Sequence, residues 1–156
     1  MKRLILTLLI LLPTLDLMAQ RYYTTDDRSA LEIHLANQTT RSVYGVKTGL
    51  NLGLSYKERW GLAYFNHVSI AKDEHASNEF RGVNISYTIN PKAHMQLRLN
   101  SYLGYHNKTF LSMQQTIALN YKINDKYFVS GELGRCDGLP YFGFQAGIVL
   151  ISYHRR

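Results

Sequence analysis

The chain is poor in the features that most often anchor an assignment. One cysteine, Cys136, occurs in 156 residues, which excludes an internal disulfide. Proline occurs three times and charged residues make up 19%. Proline-rich linkers and highly charged disordered segments are thereby excluded. The longest apolar stretch, Leu4 to Leu12, is too short to span a bilayer as a helix and ends at Pro13. There is no P-loop and no dinucleotide fingerprint, and the six histidines have no metal-ligand spacing. No cofactor, metal or catalytic residue is therefore expected. What remains is 46% hydrophobic residues and twelve tyrosines, in a length suited to one domain.

The N-terminus reads as an export signal. Lys2 and Arg3 form a charged region, Leu4 to Leu12 an apolar one, and Ala19 suits cleavage before Gln20. Residues 1–19 are thus expected to be a signal peptide, and 20–27 a short periplasmic segment. The mature chain has 156 − 19 = 137 residues. Its Lys+Arg count falls from 18 to 16 and its Asp+Glu count from 11 to 10, a net charge of +6.

Nearly all of the mature chain alternates with period two, the signature of half-buried strands. Leu50, Leu52, Leu54 and Tyr56 alternate with Asn51, Gly53 and Ser55; Leu111, Met113, Ile117, Leu119 and Tyr121 alternate with Ser112, Gln114, Thr116, Ala118 and Asn120. Eight such strands are predicted. The last, Phe142 to Tyr153, is apolar on both parities. Three connections read as tight: Lys57-Glu58-Arg59, Asn90-Pro91-Lys92 and Asn124-Asp125-Lys126. The other four are Asn37 to Ser42, Lys72 to Glu79, Asn107 to Thr109 and Arg135 to Pro140, two of them longer and polar. Every second strand ends alike, at Tyr56, Tyr87, Tyr121 and Tyr153. The spacings of 31, 34 and 32 residues each correspond to one hairpin, so these tyrosines share a rim with Trp60 and Tyr127.

Alternation alone does not say which face is inside. Three features point the apolar face at lipid. The polar parity is rich in Gly, Ser, Asn and Gln but poor in Lys and Glu, the tyrosines sit at strand ends, and the apolar parity is very regular. A closed barrel satisfies every backbone polar group, as lipid demands, and aromatic girdles mark its interfaces. The expected fold is all-β, an eight-stranded antiparallel up-and-down transmembrane β-barrel over 28–154, with a basic tail at 155–156. On these features the chain resembles the small eight-stranded outer-membrane proteins, the class containing the OmpA transmembrane domain and OmpX. The resemblance is architectural and implies the outer membrane of a Gram-negative bacterium. The Ala19-Gln20 junction resembles export signals common in Bacteroidota. The chain departs from the class where Tyr153 is followed by His154-Arg155-Arg156.

An eight-stranded barrel is just wide enough for side chains to fill it. The inward charges expected are Glu32, Lys47, Arg98 and Glu132, with Arg98 paired to Glu132 and Glu32, because unpaired buried charge is costly. The aromatic girdle comprises Tyr56, Trp60, Tyr87, Tyr121, Tyr127 and Tyr153. A periplasmic basic rim of Lys57, Arg59, Lys92, Lys122, Lys126, Arg155 and Arg156 suits anionic headgroups. Arg41, Arg81 and Arg135 are assigned to the outer loops, and Cys136 to an outer loop tip. Partners expected are outer-membrane lipids and another envelope protein, met through the last strand or the basic rim. Nucleic acid is not expected. The leading function is a non-enzymatic barrel, structural or a subunit of a larger envelope complex for secretion, conjugation or assembly. One alternative is a lipid hydrolase using His67 and Ser69, which share a face, similar to lipid A deacylases. The other is a narrow solute channel.

Overall fold

The computed structural model describes residues 29–70, 78–91 and 94–154. The expected signal peptide, the 20–27 segment, Lys92 and the 155–156 tail lie outside the described residues. Eight strands follow in order: β1 (Ser29–Ser42), β2 (Gly45–Tyr56), β3 (Trp60–Ser69), β4 (Glu79–Thr88), β5 (Met95–His106), β6 (Phe110–Lys122), β7 (Tyr127–Cys136) and β8 (Leu139–His154). Each pairs antiparallel with its neighbour, and β8 pairs with β1 to close the barrel.

The alternation maps directly onto the two faces. Along β6, Leu111, Met113, Ile117, Leu119 and Tyr121 are exposed, while Ser112, Gln114, Thr116, Ala118 and Asn120 are buried. The polar parity therefore fills the interior and the apolar parity covers the outside. Partners traced around the sheet from Asn120 run through Ser130, Gln145, Gln38, Gly49, His67, Phe80 and His106. The path returns to β6 at Phe110. The offset of 120 − 110 = 10 residues is the barrel's shear, and for eight strands it corresponds to a tilt of roughly 40°.

Several expectations change. Asn37 to Ser42 is not a loop but the upper part of β1, paired with β2 as far as Ser42↔Gly45. Only Val43 and Tyr44 connect the two strands. Arg135 to Pro140 contracts to the turn Asp137-Gly138, with both residues at positive φ (48° and 84°), as a type I′ hairpin turn requires. The contrast between short and long ends is thus confined to the connection between β3 and β4. With these strands extended, Arg41 and Arg135 are exposed and Arg81 half-buried on the outward parity of β1, β7 and β4, rather than in loops. Cys136 closes β7 facing the lumen, fully buried, 3.6 Å from the Ser112 hydroxyl.

The last strand does alternate, on either side of a bulge. His34 pairs with Val149 and Ile33 with Ile151, leaving Leu150 unmatched. One extra residue reverses the parity. Phe142, Phe144 and Ile148 are outward above it, and Ile151 and Tyr153 below it.

Lumen packing is tight enough to exclude single methyl groups. A Cβ on Gly147 would run into the Phe128 ring and lie 2.7 Å from Ala36 Cβ, whereas one on Gly131, which faces outward on β7, would meet nothing within 4 Å. Gly147→Val is expected to destabilise the barrel by about 1–3 kcal/mol, the range for overpacking. Gly131→Ala is expected to leave stability nearly unchanged. Urea midpoints of the two variants, measured in one lipid or detergent system, check the contrast; equal shifts would show that the lumen has room to spare.

Candidate functional site

The centre of the lumen is organised around one carboxyl group. Glu132 on β7 is buried and accepts hydrogen bonds from four side chains. Tyr102 Oη lies 2.9 and 3.0 Å from its two oxygens, Gln38 Nε2 at 3.2 Å, Asn100 Nδ2 at 3.3 Å and Thr116 Oγ1 at 3.3 Å. Gln38 carries the network across the barrel. Its amide nitrogen is 3.1 Å from the Tyr141 hydroxyl, and its carbonyl accepts from Asn51 Nδ2 at 2.6 Å. Asn51 Oδ1 in turn meets His67 Nε2 at 2.9 Å. This chain joins side chains of β1, β2, β3, β5, β6, β7 and β8. The remaining strand, β4, contributes Phe80, which packs 4.7 Å from Phe65; Phe65 stands edge-on to Tyr102 at 5.4 Å. All three rings are buried.

Towards the end where β1 begins and β8 finishes, Lys122 Nζ lies 2.6 Å from Glu58 and 4.0 Å from Glu32. Ser55 donates to Glu32 at 3.2 Å. Asn120 donates to Gln96, which donates to the Pro91 carbonyl. At the opposite end, Lys47 donates to the Tyr44 carbonyl at 2.5 Å. His106 stacks on Phe80 at 4.3 Å, with Tyr44 4.4 Å away on a tilted ring. Asp137, in the β7–β8 turn, accepts from Ser112 Oγ at 2.6 Å, Tyr44 Oη at 3.0 Å and the Met113 amide at 3.0 Å. Burial pushes the Asp137 carboxyl up, but these three donors outweigh it and hold it below the usual range. Burial and the Asp137 bond push the Tyr44 hydroxyl up to about 12. The bond fastens the β1–β2 turn to the β7–β8 turn over that mouth.

Among the described residues Arg98 makes no direct ion pair, though it stays within electrostatic reach of both expected carboxylates, Glu132 and Glu32. Glu32, Lys47 and Glu132 are buried. Arg98 lies on the same inward row as Glu132, with Ala118 between them. Two interstrand spacings, about 9.6 Å of backbone, separate the pair, and no ion pair within 4.0 Å forms between them. Arg98 Nε instead donates to Thr88 Oγ1 at 3.4 Å. The ammonium beside Glu32 is Lys122, a residue assigned to the rim. It occupies the even, inward parity of β6, two positions after Asn120. That parity was the available signal. Gln38, Tyr102 and Tyr141 lie on inward parities too, but their meeting depends on the offset of the closed sheet.

Of the girdle residues, Tyr56, Trp60, Tyr121, Tyr127 and Tyr153 are exposed. Tyr87 is half-buried, its ring 4.7 Å from Trp60. On the rim, Lys57 lies 5.4 Å over the Tyr56 ring, and Arg59 donates to the Tyr87 hydroxyl at 3.4 Å. Lys126 starts from the Asn124 turn, its amide donating to Asn124 Oδ1. His67 and Ser69 point to separate partners, His67 to Asn51 and Ser69 Oγ to the Val46 carbonyl at 3.5 Å.

No family model and no curated protein matches the chain. Among solved structures, one described as "De novo design of transmembrane beta-barrels" matches over 80% of this chain and 99% of its own. The TM-score is 0.57 and the identity 10%. The fold is that of a transmembrane β-barrel. At that identity the likeness carries fold and nothing further.

Removing the hub leaves four donors facing an empty centre. Glu132→Ala is expected to cost about 1–3 kcal/mol, the range for leaving buried donors unsatisfied, and Glu132→Gln clearly less, because the amide keeps one acceptor. Equilibrium urea unfolding from lipid vesicles checks both. An unchanged midpoint for Glu132→Ala would remove the hub from the account.

Proposed function

We propose that the chain is a non-enzymatic outer-membrane barrel with a side-chain-filled lumen, exported by its N-terminal signal. It acts as a structural element or as a subunit of a larger envelope complex. The observation that carries this reading is the Glu132 network. Side chains from seven strands meet in the middle of a barrel that is narrow to begin with. An open path for solutes would have to break it. The outward apolar face, with exposed aromatic residues at the end carrying the basic rim, supports a bilayer location. The separate hydrogen bonds of His67 and Ser69 do not favour a nucleophile and its base, which must reach each other.

Apart from the β3–β4 connection, the connections among the described residues are short, so the barrel wall and the basic rim are the large described surfaces that suit a protein partner. This favours a role inside an assembly over capture of soluble ligands by long loops. The test combines two measurements on the full chain expressed in a Gram-negative host. The protein is expected in the outer-membrane fraction, migrating faster on gels when unheated, and to give no discrete conductance steps in planar bilayers. Recovery as a soluble protein without detergent would overturn the membrane reading; steady conductance would overturn the filled lumen.

A further inference from the structure

The outward face of β3 to β7 carries an oblique furrow of about 530 Å³. Its walls are two adjacent rows of register partners. The lower wall is apolar and runs from Trp60 through Tyr87, Leu99 and Ile117 to Leu133. The upper wall runs from Ile85 through Ser101 and Gln115 to Arg135. Three consecutive outward positions are thus polar on a face that is otherwise apolar at this level, with Leu103 and Ile117 beside them. Small Ser101 opens the wall between Leu99 and Leu103. From β3 to β7 the furrow crosses four interstrand spacings, roughly 19 Å. Because the rows tilt with the sheet, it descends from Arg135 towards the aromatic rim at Trp60.

Arg135 is exposed, and no carboxylate among the described residues lies within 4.0 Å of it. Arg81, also outward, is paired with Glu79 at 3.6 Å. Arg41 stands between Val46 and Phe142, next to the outward pair Thr39 and Thr48, whose hydroxyls bond each other at 3.2 Å. Of the three, Arg135 is the one that lines the furrow.

We infer that this furrow is a binding site for a single anionic lipid. The phosphate pairs with Arg135, the Gln115 amide and Ser101 hydroxyl meet the ester region, and an acyl chain lies along Leu99 and Ile117 towards Trp60. Charge complementarity and the polar-to-apolar order of the furrow select this occupant. The inference rests on the membrane reading above.

Trp60 is the chain's sole tryptophan and stands at the far end of the furrow, so its fluorescence reports the chain of a lipid held at Arg135. The full protein is reconstituted in phosphatidylcholine vesicles containing a minor fraction of lipid brominated near the chain ends. The brominated lipid is either phosphatidic acid or phosphatidylcholine. Excess quenching by the anionic lipid is expected, of the order of a fivefold preference for one basic contact. Arg135→Gln and the furrow-filling Ser101→Phe are expected to abolish it, and Arg41→Gln to keep it. No excess in the parent protein overturns the site. Excess that survives Arg135→Gln also overturns it, assigning the lipid to Lys57 and Arg59 beside Trp60. Heat-modifiable migration of each reconstituted variant is read in parallel, so failure to insert is seen as failure of the membrane reading itself.

Discussion

Closure of the hydrogen-bond ladder is the constraint from which the rest of this molecule follows. β1 pairs with β2 on one side and β8 on the other, so no strand edge is left unpaired. With eight strands and an offset of ten residues, closure fixes a narrow, strongly tilted cylinder. The cylinder's inner face then has room for its own side chains and little else. The inward residues are accordingly mostly small or polar and bonded to one another, with the Phe65, Phe80 and Phe128 rings filling the rest. Glycine stands where a neighbour already fills the space, as Gly147 does against Phe128 and Ala36.

A polar lumen is stable only if its groups are satisfied, since each buried donor or acceptor left alone costs about 1–3 kcal/mol. The barrel meets most of this demand with shared acceptors, leaving, among the described residues, the Asn84 and Asn120 side-chain oxygens without a hydrogen bond. Glu132 takes donors from four side chains at mid-height, Asp137 gathers three at one mouth, and Glu58 and Glu32 receive Lys122 at the other. Each acceptor ties strands that are not neighbours in the sheet. The network therefore braces the cylinder across its diameter, an effect the backbone ladder does not provide.

How far the sequence could be read follows from which interactions are local. β6 was legible in full, because each residue announces its face by parity alone. The upper part of β1 was not. Asn37, Gln38, Thr39 and Thr40 are polar on both parities and resemble a loop, and only pairing with β2 and β8 makes them strand. β8 looked apolar on both faces because the bulge at Leu150 shifts the parity, and a bulge leaves no mark in hydrophobicity. Inward charges were recognisable one by one, yet their partners were not. Whether Glu132 meets Arg98 or Tyr102 depends on the ten-residue offset, a property of the closed sheet. The lipid furrow was out of reach for the same reason, since Ser101, Gln115 and Arg135 lie on three different strands.

The central claim is that the apolar parity meets lipid while the polar parity seals the lumen. It is tested most directly by single spin labels placed in turn from Ser112 to Leu119 on β6 in reconstituted protein. Collision with oxygen and with a water-soluble nickel reagent is measured at each position. The account predicts oxygen access at odd positions, little access to either reagent at even ones, and thus a period of two. Nickel access at the even positions would mean an open, water-filled lumen, and nickel access at the odd ones would mean that the apolar face is not in a membrane.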